Sequence, residues 1–225
     1  GSHASCPVQG GTLKYGVKAE PPSYDMHATN SYAVMHFVAQ HYSTLLTFDW
    51  KNFPKLEGDL AESWSMADDG LSYTFNLHKG VKFHDGTPFT SADVKASYDR
   101  MRNPPEGVTS VRKALFASIS EIETPDDHTV IFKLSSPDAF MMDGFASPFN
   151  AIYSAKDLAA DPTFPVKNVN GTGPYMLDEH VKGEAYKAVR YADFHHGDNC
   201  LDETIGYRIK GIVEPMVGGQ IMAEW

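Results

Sequence analysis

The hydrophobic positions of this chain change period repeatedly, from the two-residue alternation of strands to the three-to-four-residue recurrence of helices. Leu13, Tyr15 and Val17 alternate with Thr12, Lys14 and Gly16, which predicts a first strand. Glu20-Pro21-Pro22-Ser23 follows as a loop, because two prolines keep the backbone out of helix. Val34, Phe37, Val38, His41 and Leu45 then recur at helical spacing behind Asn30 or Ser31, either of which can cap the helix. After the turn Asp68-Asp69-Gly70, the residues Tyr73, Phe75 and Leu77 alternate with Thr74, Asn76 and His78 as a half-buried strand. Thr90 with Asp93 three residues on is a capping-box pattern. Behind it Val94, Tyr98 and Met101 make the apolar stripe of a short helix, which Asn103-Pro104-Pro105 stops. Ile119–Glu123 and Val130–Leu134 flank Pro125-Asp126-Asp127 as a β-hairpin. Strands also fit Tyr175–Asp178, Ala185–Tyr191 and Ile205–Ile209. From Glu214 a helix is predicted, with Ile221-Met222-Ala223-Glu224-Trp225 reading as a helix cut off midway. This mixture predicts an α/β (mixed α+β) fold and excludes a helical bundle or a β-sandwich.

Length and composition narrow the class further. The 225 residues are 42% hydrophobic and 21% charged, the balance of a globular protein able to bury its own core. No apolar run approaches the roughly 18 residues of a membrane-spanning helix. A net charge of −10 repels phosphate backbones and argues against general nucleic-acid binding. Gly1-Ser2-His3-Ala4-Ser5 looks like a cleaved affinity-tag remnant (residues 1–5) and is set aside. Cys6 and Cys200 form no Cys-x-x-Cys motif. They could pair across a long loop in an oxidising compartment, Cys6 could be the lipid-bearing residue of a lipoprotein, or both could be unpaired thiols.

The search for catalytic motifs is mostly negative. There is no Gly-x-Ser-x-Gly elbow, no His-Glu-x-x-His and no Walker A sequence. Gly171-Thr172-Gly173-Pro174 reads as a backbone turn, because Pro174 lacks an amide where a phosphate site would use one. Asp85-Gly86 after His84 is a turn dipeptide before it is half of a base-orienting pair. His195 and His196, with Asp198 and Cys200 nearby, carry metal-competent groups. Adjacent residues point to opposite faces of a strand, however, and Gly197 and Asn199 suggest a solvated loop. A metal-dependent hydrolase using His195, His196 and Asp198 therefore stands only as an alternative; no metal and no cofactor is expected.

Between Leu60 and Val94 the chain carries a longer pattern. It reads Leu60-Ala61-Glu62-Ser63-Trp64, then Asp68-Asp69-Gly70-Leu71-Ser72-Tyr73-Thr74-Phe75-Asn76-Leu77. It continues Lys79-Gly80-Val81-Lys82-Phe83-His84-Asp85-Gly86-Thr87-Pro88-Phe89-Thr90-Ser91-Ala92-Asp93-Val94. This closely resembles the family 5 extracellular solute-binding proteins of bacterial ABC importers, the peptide and nickel binders. Gly10-Gly11-Thr12-Leu13, Gly171-Thr172-Gly173-Pro174-Tyr175, Leu201-Asp202-Glu203 and Arg208-Ile209 resemble further landmarks of that family. Physically the motif is two strands, a glycine-rich turn and a capped helix. It reads as a packing unit rather than a site, with Glu62 and Asp93 as turn and cap groups and not acid–base catalysts.

The resemblance implies a type II periplasmic-binding-protein clamshell whose two lobes close on a solute by hinge motion. Residues 6–225 would be its first, N-terminal lobe, with a β-rich subdomain inserted at about 48–170 and the chain stopping before the second lobe. Such a lobe fragment would hold half of a cleft and bind its solute weakly. The implied function is non-enzymatic: binding an oligopeptide or similar small solute and delivering it to ABC permease subunits. The implied home is periplasmic, or extracellular and lipid-anchored, with the membrane met only through the permease. A sensor that passes a ligand signal to a partner protein is a further alternative. In relatives the loop after the first strand and the start of the next helix face the cleft; here these are Ala28, Thr29, Asn30, Ser31 and Tyr32. Arg112 stands where the nickel-type branch has an aromatic residue, and Asn150, after Phe149, where that branch has an arginine. Both mismatches argue against a nickel chelate of that kind. Arg112 could pair with an anionic ligand, since its planar fork suits carboxylates, or form a surface salt bridge.

Overall fold

The computed structural model describes residues 12–15, 19–49, 52–196 and 221–224. Cys6, Asp198, Cys200, Leu201-Asp202-Glu203 and the strand expected at Ile205–Ile209 lie outside the described residues.

The largest sheet has four antiparallel strands: β4 (Ala61–Met66), β5 (Ser72–Leu77), β6 (Ile119–Asp126) and β7 (Thr129–Leu134). Their spatial order is β4-β5-β7-β6. The predicted alternation holds, and Tyr73, Phe75 and Leu77 face the core together with Val130, Phe132 and Leu134. The hairpin runs longer than expected. β6 continues through Pro125 to Asp126, because the register shift between Glu123 and Asp126 spares proline a ladder donor it does not have. The turn is then closed by Asp126, whose carboxylate accepts the His128 amide at 2.8 Å. Glu62 is not a turn residue. It lies exposed inside β4, at the register shift between Ala61 and Ser63.

Helix α2 (Ser91–Arg102) packs on this sheet through Val94, Tyr98 and Met101. Thr90 and Asp93 form the expected capping box, and the second Asp93 oxygen accepts the Ala155 amide at 2.8 Å. Helix α3 (Met141–Ala146) completes the core. Its Phe145 ring sits 4.8 Å from Phe75 and 4.9 Å from Phe132, and Tyr98 lies 4.9 Å from Phe132. The burial of these rings explains why this stretch of sequence is so patterned.

A second cluster forms around α1 (Tyr32–Val38), where Met26, Val34, Phe37 and Val38 pack with Tyr42, Tyr153 and Leu158, the last from α4 (Ala155–Ala160). Ser31, rather than Asn30, caps α1 by accepting the Ala33 amide at 3.2 Å. The helix is shorter than its apolar spacing predicts. It passes into a 3-10 turn at Ala39–His41, and Leu45 lies beyond it, buried just before β2 (Leu46–Phe48). The His41 carbonyl accepts the Gly173 amide at 3.0 Å, and Tyr42 is already extended. A Cβ on Gly171 would lie 2.0 Å from that same carbonyl oxygen, so Gly171-Thr172-Gly173 is a close backbone crossing.

β2 pairs with β3 (Leu56–Gly58), and β8 (Tyr175–Val181) pairs with β9 (Ala185–Arg190). A short helix α5 (Phe164–Lys167) precedes the close crossing. β1 (Thr12–Tyr15) is antiparallel to β10 (Ile221–Glu224), with Thr12 opposite Glu224. The helix expected at 221–225 is thus a strand over its described residues. Backbone pairing with β1, Leu13 opposite Ala223 and Tyr15 opposite Ile221, replaces the expected helical hydrogen bonds there.

Candidate functional site

The residues between β1 and α1 form a short tethered loop. Asp25 accepts the His27 amide at 3.1 Å and starts a 3-10 turn over Met26–Ala28. The Thr29 hydroxyl accepts the Ser31 amide at 2.9 Å, which presents Asn30, Ser31 and Tyr32 outward. Below them lies Arg112, in the connection between α2 and β6. The Val111 amide bonds the His27 carbonyl at 3.1 Å, and Ser110 reaches the Met101 carbonyl at 2.6 Å. Together these bonds hold the arginine against the loop.

Arg112 is 6% exposed. Its Nη2 donates to the Thr29 carbonyl at 2.6 Å, its Nε to Asn150 Oδ1 at 3.2 Å, and its Nη1 to Asn30 Oδ1. The guanidinium also stacks on Phe149, 4.8 Å from the ring centre. Asn150 is locked by its own bond to the Gly144 carbonyl at 2.6 Å. The Tyr32 ring, 55% exposed, stands 6.3 Å from Phe149. Ala28, Thr29, Asn30, Ser31, Tyr32, Arg112, Phe149 and Asn150 are thereby brought into one neighbourhood, an exposed rim over a buried cation. Arg112 is not the surface salt bridge considered from sequence. All its bonds within the described residues go to neutral oxygens, and burial draws its pKa below the usual guanidinium value.

A buried ionic network underneath was missed by sequence reasoning. Arg100 grips Asp25 with two bonds of 3.0 and 2.7 Å and donates to His27 Nδ1 at 2.9 Å. The Tyr153 hydroxyl also donates to Asp25, at 3.0 Å, and accepts the Met26 amide at 2.8 Å. His27 Nε2 donates to the Ala151 carbonyl at 2.8 Å, so the imidazole is neutral with its proton on Nε2. Burial, helped by the Arg100 charge, drives its pKa down to about 3 against the pull of Asp25. Burial pushes the Asp25 carboxyl upward, but the Arg100 and Tyr153 hydrogen bonds and the neighbouring charges carry it below its ordinary value. The only sequence signal was an acid two residues before His27, which reads as a local cap.

A second constellation corrects the sequence reading of His195 and His196. The residues lie in turns, as the loop reading expected, so the opposite-face rule of a strand does not apply and their rings do not diverge. Both Nε2 atoms converge on Asp59 Oδ1, at 3.0 and 2.9 Å, and the His195 side chain is 4% exposed rather than solvated. Asp59 occupies the bend between β3 and β4, and its Oδ2 accepts the Thr44 amide at 3.1 Å.

Residues 55–209 match the family described as bacterial extracellular solute-binding proteins, family 5 Middle. A relative from Brucella ovis, named for ABC transporter peptide binding, is 31% identical over 215 residues, covering 90% of this chain and 39% of its own length. A probable D,D-dipeptide-binding periplasmic protein of Escherichia coli is 34% identical over 191 residues, 81% of this chain and 36% of that protein. The chain thus spans about two fifths of the curated relatives it matches. Among solved structures, the periplasmic binding protein AgaA of A. tumefaciens in complex with agropinic acid superposes with a TM-score of 0.72 at 32% identity, over 78% of this chain and 35% of that one. DppA from Helicobacter pylori, in complex with a peptide, gives 0.71 at 27% identity, over 79% and 38%. The expected mixed α/β fold of a type II periplasmic binding protein is shared with these structures. The named relatives are binding proteins, and none of them points to a hydrolase.

Proposed function

We propose, for a chain that belongs to the family 5 bacterial extracellular solute-binding proteins, the role of binding an oligopeptide or similar small solute for an ABC importer, in the periplasm or at the outer cell surface. Arg112 carries this reading. Among the described residues this buried guanidinium is held by neutral oxygens and an aromatic face, with no carboxylate against it. A solute carboxylate arriving over the rim supplies the missing counter-charge, and the fork geometry of arginine suits it. Asn30 and Ser31 offer polar rim groups to such a solute, and Tyr32 and Phe149 offer ring faces. Asn150 and the Thr29 carbonyl act by holding the guanidinium in place, and Ala28 keeps the loop close beneath the rim. No bond is broken in this role. The residues present one wall of a cleft, and closure by a facing lobe would surround the solute before its delivery to the permease.

Calorimetry with di- and tripeptides, each as the free acid and as the C-terminal amide, tests the reading. A charge-assisted hydrogen bond contributes about 1.5–3 kcal/mol, so the free acid should bind roughly tenfold to a hundredfold more tightly. Arg112→Gln should abolish that preference while the protein stays folded by circular dichroism. Equal affinity for acid and amide in the unsubstituted protein would refute the assignment of Arg112.

A further inference from the structure

We infer that Asp59, His195 and His196 form a binding site for a divalent transition-metal ion of the zinc type. The site shares no residue with the Arg112 rim and goes beyond solute binding. Its three donor atoms, one carboxylate oxygen and two imidazole nitrogens, all lie within 4.8 Å of one another. Two of the three edges are 3.0 and 2.9 Å. Bonds of about 2.0–2.1 Å in a tetrahedral zinc site place donors roughly 3.3 Å apart, so small side-chain shifts admit an ion. Mixed imidazole and carboxylate donors favour zinc-type ions over magnesium or calcium, which prefer all-oxygen shells.

The surroundings hold the donors in place. Thr44 fixes one Asp59 oxygen and leaves the other turned toward the histidines. Phe194, buried and bonded through its amide to the Tyr191 carbonyl at 3.2 Å, anchors the turn that carries both rings. One group is left over: His195 Nδ1 is buried with no partner among the described residues. Asp59 and His195 are almost fully enclosed, whereas the His196 side chain is 29% exposed. That side gives an ion its path in and leaves a coordination position for water. The His78 ring stands 5.8 Å from that of His196, edge to face, outside the donor triangle. An ion held here would clip the turn at 195–196 to the β3–β4 bend.

The test is a Zn2+ titration of the EDTA-treated protein by calorimetry, with Co2+ as a spectroscopic probe. We expect one equivalent bound at micromolar or tighter affinity, a raised melting temperature, and the visible bands of four-coordinate Co2+. His196→Ala should weaken Zn2+ binding about 100-fold, and Asp59→Asn comparably, while His78→Ala leaves it within about twofold. Absence of saturable Zn2+ binding by the unsubstituted protein overturns the site. So does unchanged affinity in both His196→Ala and Asp59→Asn, which would place the ion elsewhere. Should a variant fail to fold, the imidazole nitrogen resonances of the unsubstituted protein decide: unshifted histidine signals at saturating Zn2+ overturn the assignment.

Discussion

Replacing Arg100 by methionine probes the support of the candidate binding loop directly. Methionine keeps the length and apolar stem but removes both bonds to Asp25, the bond to His27 Nδ1 and the bond from Nε to the Pro162 carbonyl at 3.1 Å. Asp25 is 2% exposed and would remain as a buried carboxylate with no cation. Breaking one side of a buried ion pair costs about 3–5 kcal/mol, and the orphaned His27 Nδ1 about 1 more. These overlap, so a loss of ~4 kcal/mol is expected, a large part of the roughly 5–15 kcal/mol available to a folded protein. At about 2–4 °C per kcal/mol for a chain of this size, Tm should fall by about 8–16 °C. Urea titration gives the free energy, and the double variant Asp25→Asn with Arg100→Met should recover about 2 kcal/mol relative to additivity. Hydrogen exchange should accelerate first in residues 26–32, because the network holds the 3-10 turn below the rim. A cost below about 1 kcal/mol, or strict additivity in the double variant, would show that the network does not carry the loop.

Three further outcomes follow from the structure. His27 and His41 are buried neutral, with pKa values lowered to about 3, chiefly by burial. The unfolded chain therefore binds more protons than the folded one from about pH 6.5 downward; stability is full above that value and should fall by roughly 3 kcal/mol between pH 6.5 and about 5, read by urea melts across pH. A flat profile over that range would contradict the burial of both rings. Gly171→Ala sets a Cβ 2.0 Å from the His41 carbonyl oxygen and 2.6 Å from the Tyr42 ring, and should cost about 3 kcal/mol or more in thermal melts. Gly86→Ala meets no neighbour within 4 Å but must hold a φ of 87°, so it should cost only about 1–2 kcal/mol and leave solute preference unchanged.

Local rules held where local energies decide. The Thr90–Asp93 box, the β6–β7 hairpin and the alternation of β5 all follow from residues within a few positions of one another. The failures share the opposite cause. Helix α1 stops early because the His41 carbonyl is taken by Gly173, more than a hundred positions away. Residues 221–224 form a strand because β1 supplies their partners. His195 and His196 share a target because Asp59, distant in sequence, sets one carboxylate oxygen within reach of both Nε2 atoms. The Arg100–Asp25–His27–Tyr153 network draws on three separated segments and leaves no periodic trace.

The same division explains why the family is easy to recognise and the ligand is not. The segment that carries the resemblance, Leu60 to Val94, supplies Leu60, Tyr73, Phe75, Leu77, Phe83, Phe89 and Val94 to one core, and each is almost fully buried. Substitution there opens cavities or unseats a turn, so the physics of packing ties the pattern to the fold. The rim residues Asn30, Ser31 and Tyr32 are exposed, and their side chains are constrained mainly at the base, by the Arg112 bond to Asn30 and the Ser31 cap. Their identities can change while the scaffold stays fixed. Under the proposed function, affinity for a given solute would be set on a loop that the core positions but does not specify, with the buried charge of Arg112 as the feature of the rim that the fold itself has to accommodate.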